Sequence, residues 1–321
     1  ELQSIASVAF SEQVESETIQ YGSASTAYGH EYDAVGNITR ITRTQGGTTT
    51  DLYRYKYDEA GQLVREDNTV TNQTTVWVYD EGGNIRSRKI YTLTTAGMPD
   101  EQTLIETIEY AYSTGIWKDL LTSYDGQNIS YDASGNPTGY LGATMTWTMG
   151  RQLANYNKDS LAVGYTYNEN GIRTSKTVNG VRTDYYLSGS QVIAEMTNGN
   201  RIDYRYDGNG QLIALRWNGS DYYAVTNIQG DVIGLIDGSG TSVVQYTYDA
   251  WGNQTSCTGT LANTLGQANP YRYRGYRFDN ETGLYYQQSR YYDAAVGRFV
   301  NADDFMRSEE RRVGKECRSR W

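Results

Sequence analysis

Apolar and polar side chains alternate with a period of two along most of this chain. Tyr53, Tyr55 and Tyr57 lie on one side of a predicted strand, and Arg54 and Lys56 lie on the other. The same alternation recurs in Ile202, Tyr204 and Tyr206, in Met145, Trp147 and Met149, and in Val244, Tyr246 and Tyr248. No apolar period of 3.6 residues is sustained, so the pattern predicts an all-β fold.

A hexad of Tyr, Asp, two variable residues, Gly and then Asn or Gln recurs between these strands. The residues that define its six copies are Tyr32, Asp33, Gly36, Tyr57, Asp58, Gly61, Tyr79, Asp80, Gly83, Tyr131, Asp132, Gly135, Tyr206, Asp207, Gly210, Tyr248, Asp249 and Gly252. A degenerate copy begins at Tyr167, and weaker copies contain Asp125, Asp231 and Asp237. The spacing predicts a strand–turn–strand unit of roughly 20 to 25 residues.

Each residue type of the hexad has a role in a tight turn. Asp accepts hydrogen bonds from main-chain N–H groups two residues on, and Gly adopts a positive φ without a Cβ penalty. Tyr precedes the turn, where its ring covers a neighbouring strand and its hydroxyl reaches water or a polar partner. We therefore interpret the hexad as a structural turn motif.

These hexads resemble the YD repeats of bacterial Rhs (rearrangement hotspot) proteins, wall-associated proteins, the C component of insecticidal toxin complexes, and animal teneurins. A second motif resembles the Rhs repeat-associated core. Its residues are Asp279, Glu281, Thr282, Gly283, Leu284, Tyr285, Tyr286, Arg290, Tyr291, Tyr292, Asp293, Gly297, Arg298 and Phe299. The predicted divisions are an N-terminal partial repeat (1–31), the YD repeats (32–221) and the core (222–304).

The resemblance implies a twisted antiparallel β-ribbon that forms part of a hollow shell around a C-terminal toxin. The implied partner is the remainder of the same polypeptide, including that toxin, and the implied location is secreted or at a bacterial cell surface. In the family, acidic residues downstream of the core cleave the chain. Here the usual continuation after Asp303 is absent, so Asp303 and Asp304 mark at most the start of that region.

The composition changes abruptly near the C-terminus. Residues 307–321 contain six basic and three acidic side chains and no Tyr. The string resembles the translation of a sequencing adapter, so we predict that residues 305–321 are not native. Cys317 belongs to that tail, which leaves Cys257 alone and predicts no disulfide. Glu1 opens the chain without Met, which indicates a fragment of something longer.

Composition limits the possible functions. The chain has 321 residues, 31 of them Tyr, a formal net charge of −10 and a single His. An acidic chain is a poor match for nucleic acid, since phosphate binding needs clustered Lys and Arg. One His excludes metal sites built from several His residues. We expect no cofactor and no enzymatic activity.

Two other functions stay open at this stage. Exposed aromatic side chains could bind glycans in a surface adhesin, and the candidates are Trp77, Trp147, Trp217 and Trp251. Paired carboxylates could hydrolyse glycosidic bonds, and the candidate pairs are Asp58 with Glu59 and Asp279 with Glu281.

His30 and the hexad Asp residues could have chemical roles, but a structural role is the better interpretation of each. His30 could act as a general base, but no Ser, Cys or second His lies near it in sequence, so a strand-edge side chain is the better interpretation. The hexad Asp residues could bind calcium, but each hexad offers one carboxylate, which favours turn stabilisation.

Overall fold

The computed structural model describes residues 4–7, 13–21 and 24–302, which fall into two compact units. Unit 1 comprises the described residues up to Gly126, and unit 2 comprises those from Gln127 onward. The predicted boundary between repeats and core, at residues 221 and 222, lies within unit 2 and stays a prediction. The predicted tail, with Asp303, Asp304 and Cys317, lies outside the described residues.

Unit 1 is an antiparallel meander in which each strand pairs with the next one along the chain. A 3-10 helical turn at Glu101–Thr103 interrupts it before the ninth strand. The strands are β1 (Ser4–Ser7), β2 (Val14–Tyr21), β3 (Ala24–Tyr32), β4 (Ile38–Gln45), β5 (Thr48–Tyr57), β6 (Leu63–Asn68), β7 (Gln73–Tyr79), β8 (Ile85–Thr92), β9 (Leu104–Tyr112) and β10 (Leu121–Tyr124).

Unit 2 begins with the short strand β11 (Gln127–Asn128) and contains a longer meander of β12 to β25. The strands of that meander are β12 (Ser130–Tyr131), β13 (Pro137–Tyr140), β14 (Ala143–Thr148), β15 (Gln152–Lys158), β16 (Leu161–Tyr167), β17 (Arg173–Val178), β18 (Val181–Ser188), β19 (Gln191–Thr197), β20 (Asn200–Tyr206), β21 (Leu212–Trp217), β22 (Ser220–Thr226), β23 (Val232–Ile236), β24 (Ser242–Tyr248) and β25 (Gln254–Thr258).

A small antiparallel sheet follows the meander of unit 2. It is preceded by a four-residue α-helix, α1 (Leu265–Ala268), and a 3-10 turn at Tyr273–Gly275. Its strands are β26 (Arg277–Asp279), β27 (Leu284–Gln287), β28 (Arg290–Asp293) and β29 (Arg298–Phe299). The described residues are thus almost entirely antiparallel strands, and the predicted all-β fold is confirmed.

The hexads lie at hairpin turns with one recurring set of hydrogen bonds. Oδ1 of Asp33 accepts from the main-chain N–H groups of Val35 and Asn37, at 3.0 and 2.8 Å, and Oδ2 accepts from Nδ2 of Asn37 at 2.7 Å. Gly36 has a φ of 91°, which only Gly adopts without strain. The two main-chain bonds recur at Asp58, Asp80, Asp132, Asp207 and Asp249.

Among the degenerate and weaker copies, three form the same turn and one does not. Asn168, Asn227 and Asp237 each accept from the N–H groups two and four residues on. Asp125 instead has a φ of 47° and is followed by Gly126 at 74°, which makes a two-residue hairpin turn. The opposite ends of several unit 2 hairpins use such two-residue turns as well, at Asn179–Gly180, Asn198–Gly199 and Asn218–Gly219.

The hexad turns of each meander lie at one end of its sheet, which we call the hexad end. Eleven hairpins with described turns lie at the hexad ends, and each carries a bulge next to the turn. At the first of these, Glu31 pairs with Arg40 but Tyr32 pairs with Ile38, so Thr39 is the extra residue. Bulges increase the local right-handed twist of the hairpins that carry them.

The alternation of side chains holds in the strands but fails at one turn. Ile202 and Tyr204 are buried in β20 while Arg205 is exposed, as their spacing predicts. Met145 is buried in β14, but Met149 is 86% exposed with a φ of 46°. The prediction that Met149 continues the strand was therefore wrong, because the chain has already turned toward Gly150.

Candidate functional site

An aromatic side chain just before most hexad-end turns joins consecutive hairpins. The hydroxyl of Tyr57 donates to the main-chain carbonyl of Ile38, the residue just after the preceding hexad turn, at 2.9 Å. We call this set of contacts the aromatic ladder. Its other described pairs are Tyr32 with Val14, Tyr79 with Leu63, Tyr112 with Ile85, Trp147 with Pro137, Tyr167 with Leu153, Tyr206 with Val192 and Tyr248 with Val232.

The ladder gives the hexad Tyr a specific partner that sequence reasoning did not identify. Each bond saturates a carbonyl at a bulged hairpin and contributes about 1 kcal/mol. Trp147 takes the same position with its indole N–H, 2.6 Å from the carbonyl of Pro137. The interval between each aromatic residue and its acceptor varies from 10 to 27 residues, so no fixed spacing in the sequence signals these pairs.

In unit 2 the residues 269–302, here called the core segment, lie on the sheet face that bears Tyr165, Tyr185 and Tyr204. Several tyrosine hydroxyls on the sheet side contact it, among them those of Tyr140, Tyr167 and Tyr206. Tyr140 donates to Oδ2 of Asp293 at 3.0 Å. The hydroxyl pairs Tyr167 with Tyr291 and Tyr206 with Tyr271 are 2.8 and 2.6 Å apart. Two of these sheet tyrosines, Tyr167 and Tyr206, are also donors of the aromatic ladder.

A buried ion cluster forms the centre of this contact. Asp279 at the end of β26 accepts from Arg173 through both carboxylate oxygens, at 2.5 and 3.1 Å. Lys176 donates to Asp279 at 3.2 Å and to Glu281 at 2.8 Å, and Tyr165 donates to Asp279 at 3.3 Å. The side chains of Arg173 and Asp279 are only 1% and 3% exposed, so this pair is shielded from solvent.

Burial and charge act in opposite directions on Asp279. Burial would raise the pKa of this carboxyl, but Arg173 and then Lys176 outweigh it and hold the pKa well below its usual range. A general acid or base needs a pKa near the working pH. Asp279 stays ionised near neutral pH and neither takes up nor releases a proton there, which argues against its candidate role in glycosidic hydrolysis.

Two guanidinium groups lie against the ring of Tyr185. The Cζ atom of Arg173 is 5.3 Å from the ring centroid, and that of Arg277 is 4.8 Å from it. Arg173 also lies 4.3 Å from the ring centroid of Tyr286 in the core segment. Arg277 makes a short ion pair with Glu195 in β19. Cation–π contacts of desolvated Arg are worth up to about 2 kcal/mol, so rings and ion pairs together stabilise the buried charges.

The turn that leads into the predicted core has its Asp and Asn exchanged. Oδ1 of Asn227 accepts from the N–H groups of Gln229 and Asp231, and Nδ2 of Asn227 donates to Oδ2 of Asp231 at 2.8 Å. The other oxygen of Asp231 accepts from the main-chain N–H of Arg274 at 2.8 Å. The exchange thus places a buried carboxylate against the core segment, and burial raises the pKa of Asp231.

The predicted core-motif residues shape the small sheet and its turns. Leu284, Tyr285, Tyr291 and Tyr292 are buried in β27 and β28. Arg290 lies over the ring of Phe299, 3.5 Å from its centroid. Tyr286 and Asp293 are likewise buried in β27 and β28. Thr282 and Gly283 lie between β26 and β27, and Gly297 precedes Arg298 at the start of β29.

Gly297 is one position where glycine is required. Its φ is 74°, and a Cβ there would lie 3.2 Å from the ring of Trp251. Tyr292 in β28 donates to the main-chain carbonyl of Trp251 at 2.8 Å, and Tyr285 in β27 donates to that of Gly252 at 3.0 Å. The small sheet therefore contacts the last hexad turn as well as the ion cluster.

The Trp residues considered for glycan binding and the His considered as a general base are less accessible than those functions need. Trp77 and Trp251 are buried, and Trp147 and Trp217 are half-buried, so none of the four is an open platform for a sugar. His30 is buried in β3, and that burial lowers its pKa to about 4.

The candidate carboxylates and metal ligands offer no assembled site either. Asp58 and Glu59 are exposed, and Asp58 makes the hydrogen bonds of its turn. In the part of the chain that the structure describes, no group of three or more His, Cys, Asp or Glu side chains could hold a metal ion.

The combination of repeated hexad hairpins with a core segment that covers the sheet matches a known protein family. A family model of the teneurin YD-shell matches residues 11–315. The chain belongs to the teneurin YD-shell family. The predicted resemblance to Rhs and YD-repeat proteins is confirmed by this match and by the relatives described next.

Curated relatives of this YD shell include bacterial toxins. The tRNA3(Ser)-specific nuclease WapA of Bacillus spizizenii is 37% identical over 245 residues, which are 74% of this chain and 10% of that protein. Toxin subunit YenC1 of Yersinia entomophaga is 25% identical over 268 residues, or 74% of this chain and 27% of that protein. The chain thus spans about a tenth to a quarter of the length of these relatives.

Solved structures show the same fold. A crystal structure of TcdB2-TccC3 without its hypervariable C-terminal region has a TM-score of 0.76 at 16% identity, covering 98% of this chain and 18% of that one. The TcdB2-TccC3-Cdc42 structure has a TM-score of 0.74 at 17% identity, covering 94% and 17%. The chain is therefore a segment of a toxin-related YD shell. Among its described residues, no helix is long and apolar enough to span a membrane.

Proposed function

We propose that this chain is a wall segment of a shell that encloses and delivers a C-terminal toxin carried on the same polypeptide. The wall is formed by hexad hairpins joined through the aromatic ladder, and the core segment closes one face of it. The proposed partner is the remainder of the chain with its toxin, and the proposed location is secreted or at the surface of a bacterium. The proposed divisions are repeats at 32–221 and a core at 222–304.

The buried attachment of the core segment is the observation that carries this proposal. Arg173 in the sheet and Asp279 in the core segment are 106 residues apart in sequence, yet they form a bidentate pair shielded from water. A wall that confines a second polypeptide needs such long-range closure, because hairpins joined only to their neighbours open one at a time.

We propose a structural role for this segment rather than a catalytic one. The nuclease activity in the name of WapA is that of a protein of which this chain covers 10%. The buried charges of the ion cluster neutralise one another, and Asp279 is held ionised by its two cations. A reactive centre needs a group that exchanges a proton or attacks a substrate, and this cluster supports neither step.

Protease protection tests the proposal on a chain that continues past residue 302 into its downstream domain. The downstream domain carries an epitope tag at its C-terminus, and its digestion by proteinase K is followed by immunoblot. We expect the tagged domain to survive while the shell is folded and to be digested once urea opens the shell. The same domain expressed alone is the control. Digestion at the control rate in the absence of urea would refute enclosure.

A further inference from the structure

One residue at the start of the strand after each hexad-end turn occupies an equivalent place in eleven described hairpins; it is buried in ten of them and half-buried at Gln254. It belongs to the residue pair on the turn side of the bulge, and we call it the post-turn position. In two hairpins one further pair, Thr148 with Gln152 and Ser188 with Gln191, lies closer to the turn. Nine of the eleven are apolar: Ile38, Leu63, Ile85, Leu121, Pro137, Leu153, Val192, Leu212 and Val232. The two exceptions are Arg173, opposite Tyr167, and Gln254, opposite Tyr248.

Both exceptions bind the core segment. Arg173 makes its bidentate pair with Asp279. Oε1 of Gln254 accepts a short hydrogen bond from the guanidinium of Arg272, a side chain that is only 1% exposed. Burying an Arg in place of an aliphatic residue costs several kcal/mol unless a partner compensates it. In each case the partner comes from the core segment and from no neighbouring repeat.

We propose that Arg173 and Gln254 are specificity-determining residues that set where the core segment lies along the sheet. Together they form a docking address for a polypeptide that carries a guanidinium and a carboxylate seven residues apart, here Arg272 and Asp279. Every other post-turn position is apolar and offers no polar side chain, so a shift by one hairpin would take Asp279 away from Arg173 and Arg272 away from Gln254. The inference goes beyond shell formation and holds whatever the shell encloses.

The address also determines where the chain leaves the core segment. The main-chain carbonyl of Ala302, the last described residue, accepts from the guanidinium of Arg151 at 2.9 Å. Arg151 lies in the turn between β14 and β15, at the same hexad end as Arg173 and Gln254. Docking at the address thus brings the end of the core segment to this turn.

Hydrogen exchange with mass spectrometry on the full chain tests the address. Arg173→Leu restores the side-chain type of the other post-turn positions, so the sheet itself should tolerate it. We expect peptides within 269–302 to lose protection by at least tenfold, while peptides of β18 to β21 keep it. Arg173→Lys retains the charge but not the bidentate geometry, and we expect it to lose most of the same protection.

Two further variants complete the test. One disrupts a comparable buried pair in unit 1, and the other changes the second residue of the address. Arg65→Leu disrupts the buried pair with Asp67 in unit 1, and it should leave peptides 269–302 protected. Gln254→Leu probes the other half of the address and, as a neutral change, serves if Arg173→Leu does not fold. Unchanged protection of 269–302 in both address variants would overturn the proposal. Equal loss across β18 to β21 and 269–302 would also overturn it, because the residues would then support the whole unit.

Discussion

Among the described residues, each unit contains a buried Arg–Asp pair, but the two pairs connect different parts of the structure. Arg65 and Asp67 lie two residues apart on β6, at 2.7 Å, with each side chain 4% exposed. Arg173 and Asp279 lie 106 residues apart and join β17 to the core segment. The first pair holds a strand to a local loop, whereas the second holds a sheet to a separate layer.

The remaining partners of each Arg differ as well. Arg65 also donates short hydrogen bonds to the main-chain carbonyls of Thr94 and Gly97, in the loop between β8 and β9. Arg173 has aromatic rings around it, and its other guanidinium contacts are cation–π contacts. Loss of the carboxylate therefore leaves Arg65 with two acceptors, whereas the Arg173 guanidinium keeps no hydrogen-bond acceptor among the described residues.

The largest expected effect comes from removing the long-range carboxylate. Asp279→Ala should lower the free energy of unfolding of unit 2 by about 3–5 kcal/mol, because Arg173 and Lys176 stay buried without their anion. Asp67→Ala should cost unit 1 less, since Arg65 keeps its carbonyl acceptors. Urea titration with hydrogen exchange as the readout resolves the two units. A larger loss for Asp67→Ala would contradict the comparison.

The second-largest expected effect is a difference between the two units in how their stability depends on pH. Burial lowers the pKa of His30 to about 4, against about 6.5 in the unfolded chain. The unfolded state therefore takes up a proton first, and unit 1 should lose about 2 kcal/mol between pH 7 and pH 5. In unit 2, burial raises the pKa of Asp231, so its protonation favours the folded state as the pH falls.

The measurement is the urea midpoint of each unit at pH 7 and pH 5, and His30→Leu is the control. The variant should remove the difference between the two pH values in unit 1 and leave unit 2 unchanged. An equal loss in both units of the wild-type protein would rule out His30 as the cause, because the chain contains a single His.

Local features of this fold were predictable from the sequence and long-range ones were not. The turn at Asp33 follows from residue types within five positions, since its hydrogen bonds close inside the hexad. The pairing of Arg173 with Asp279 depends on how the core segment lies on the sheet, which no local pattern encodes. The prediction that Met149 continues its strand was wrong for a related reason, because alternation alone does not reveal where a strand ends.

The bonds of the aromatic ladder should contribute differently to stability in the two units, although the difference is smaller than the effects above. The hydroxyl of Tyr206 contacts both the carbonyl of Val192 and the hydroxyl of Tyr271, whereas that of Tyr32 donates to the carbonyl of Val14. Tyr206→Phe should cost about 2 kcal/mol and Tyr32→Phe about 1 kcal/mol, at roughly 1 kcal/mol per bond lost. Chemical denaturation with unit-resolved exchange measures both. Equal costs would mean that the core segment gains nothing from the ladder hydroxyl.

The smallest expected effect concerns a pair with the same spacing as Arg65 and Asp67. Arg182 and Asp184 also lie two residues apart on one strand, at 2.7 Å, but their side chains are 55% and 50% exposed. Exposed pairs contribute about 0–1 kcal/mol, because water already solvates both charges. Arg182→Leu should therefore change the urea midpoint far less than Arg65→Leu does. A comparable loss would show that the Arg-x-Asp spacing, rather than cover by the loop at Thr94, determines what such a pair contributes.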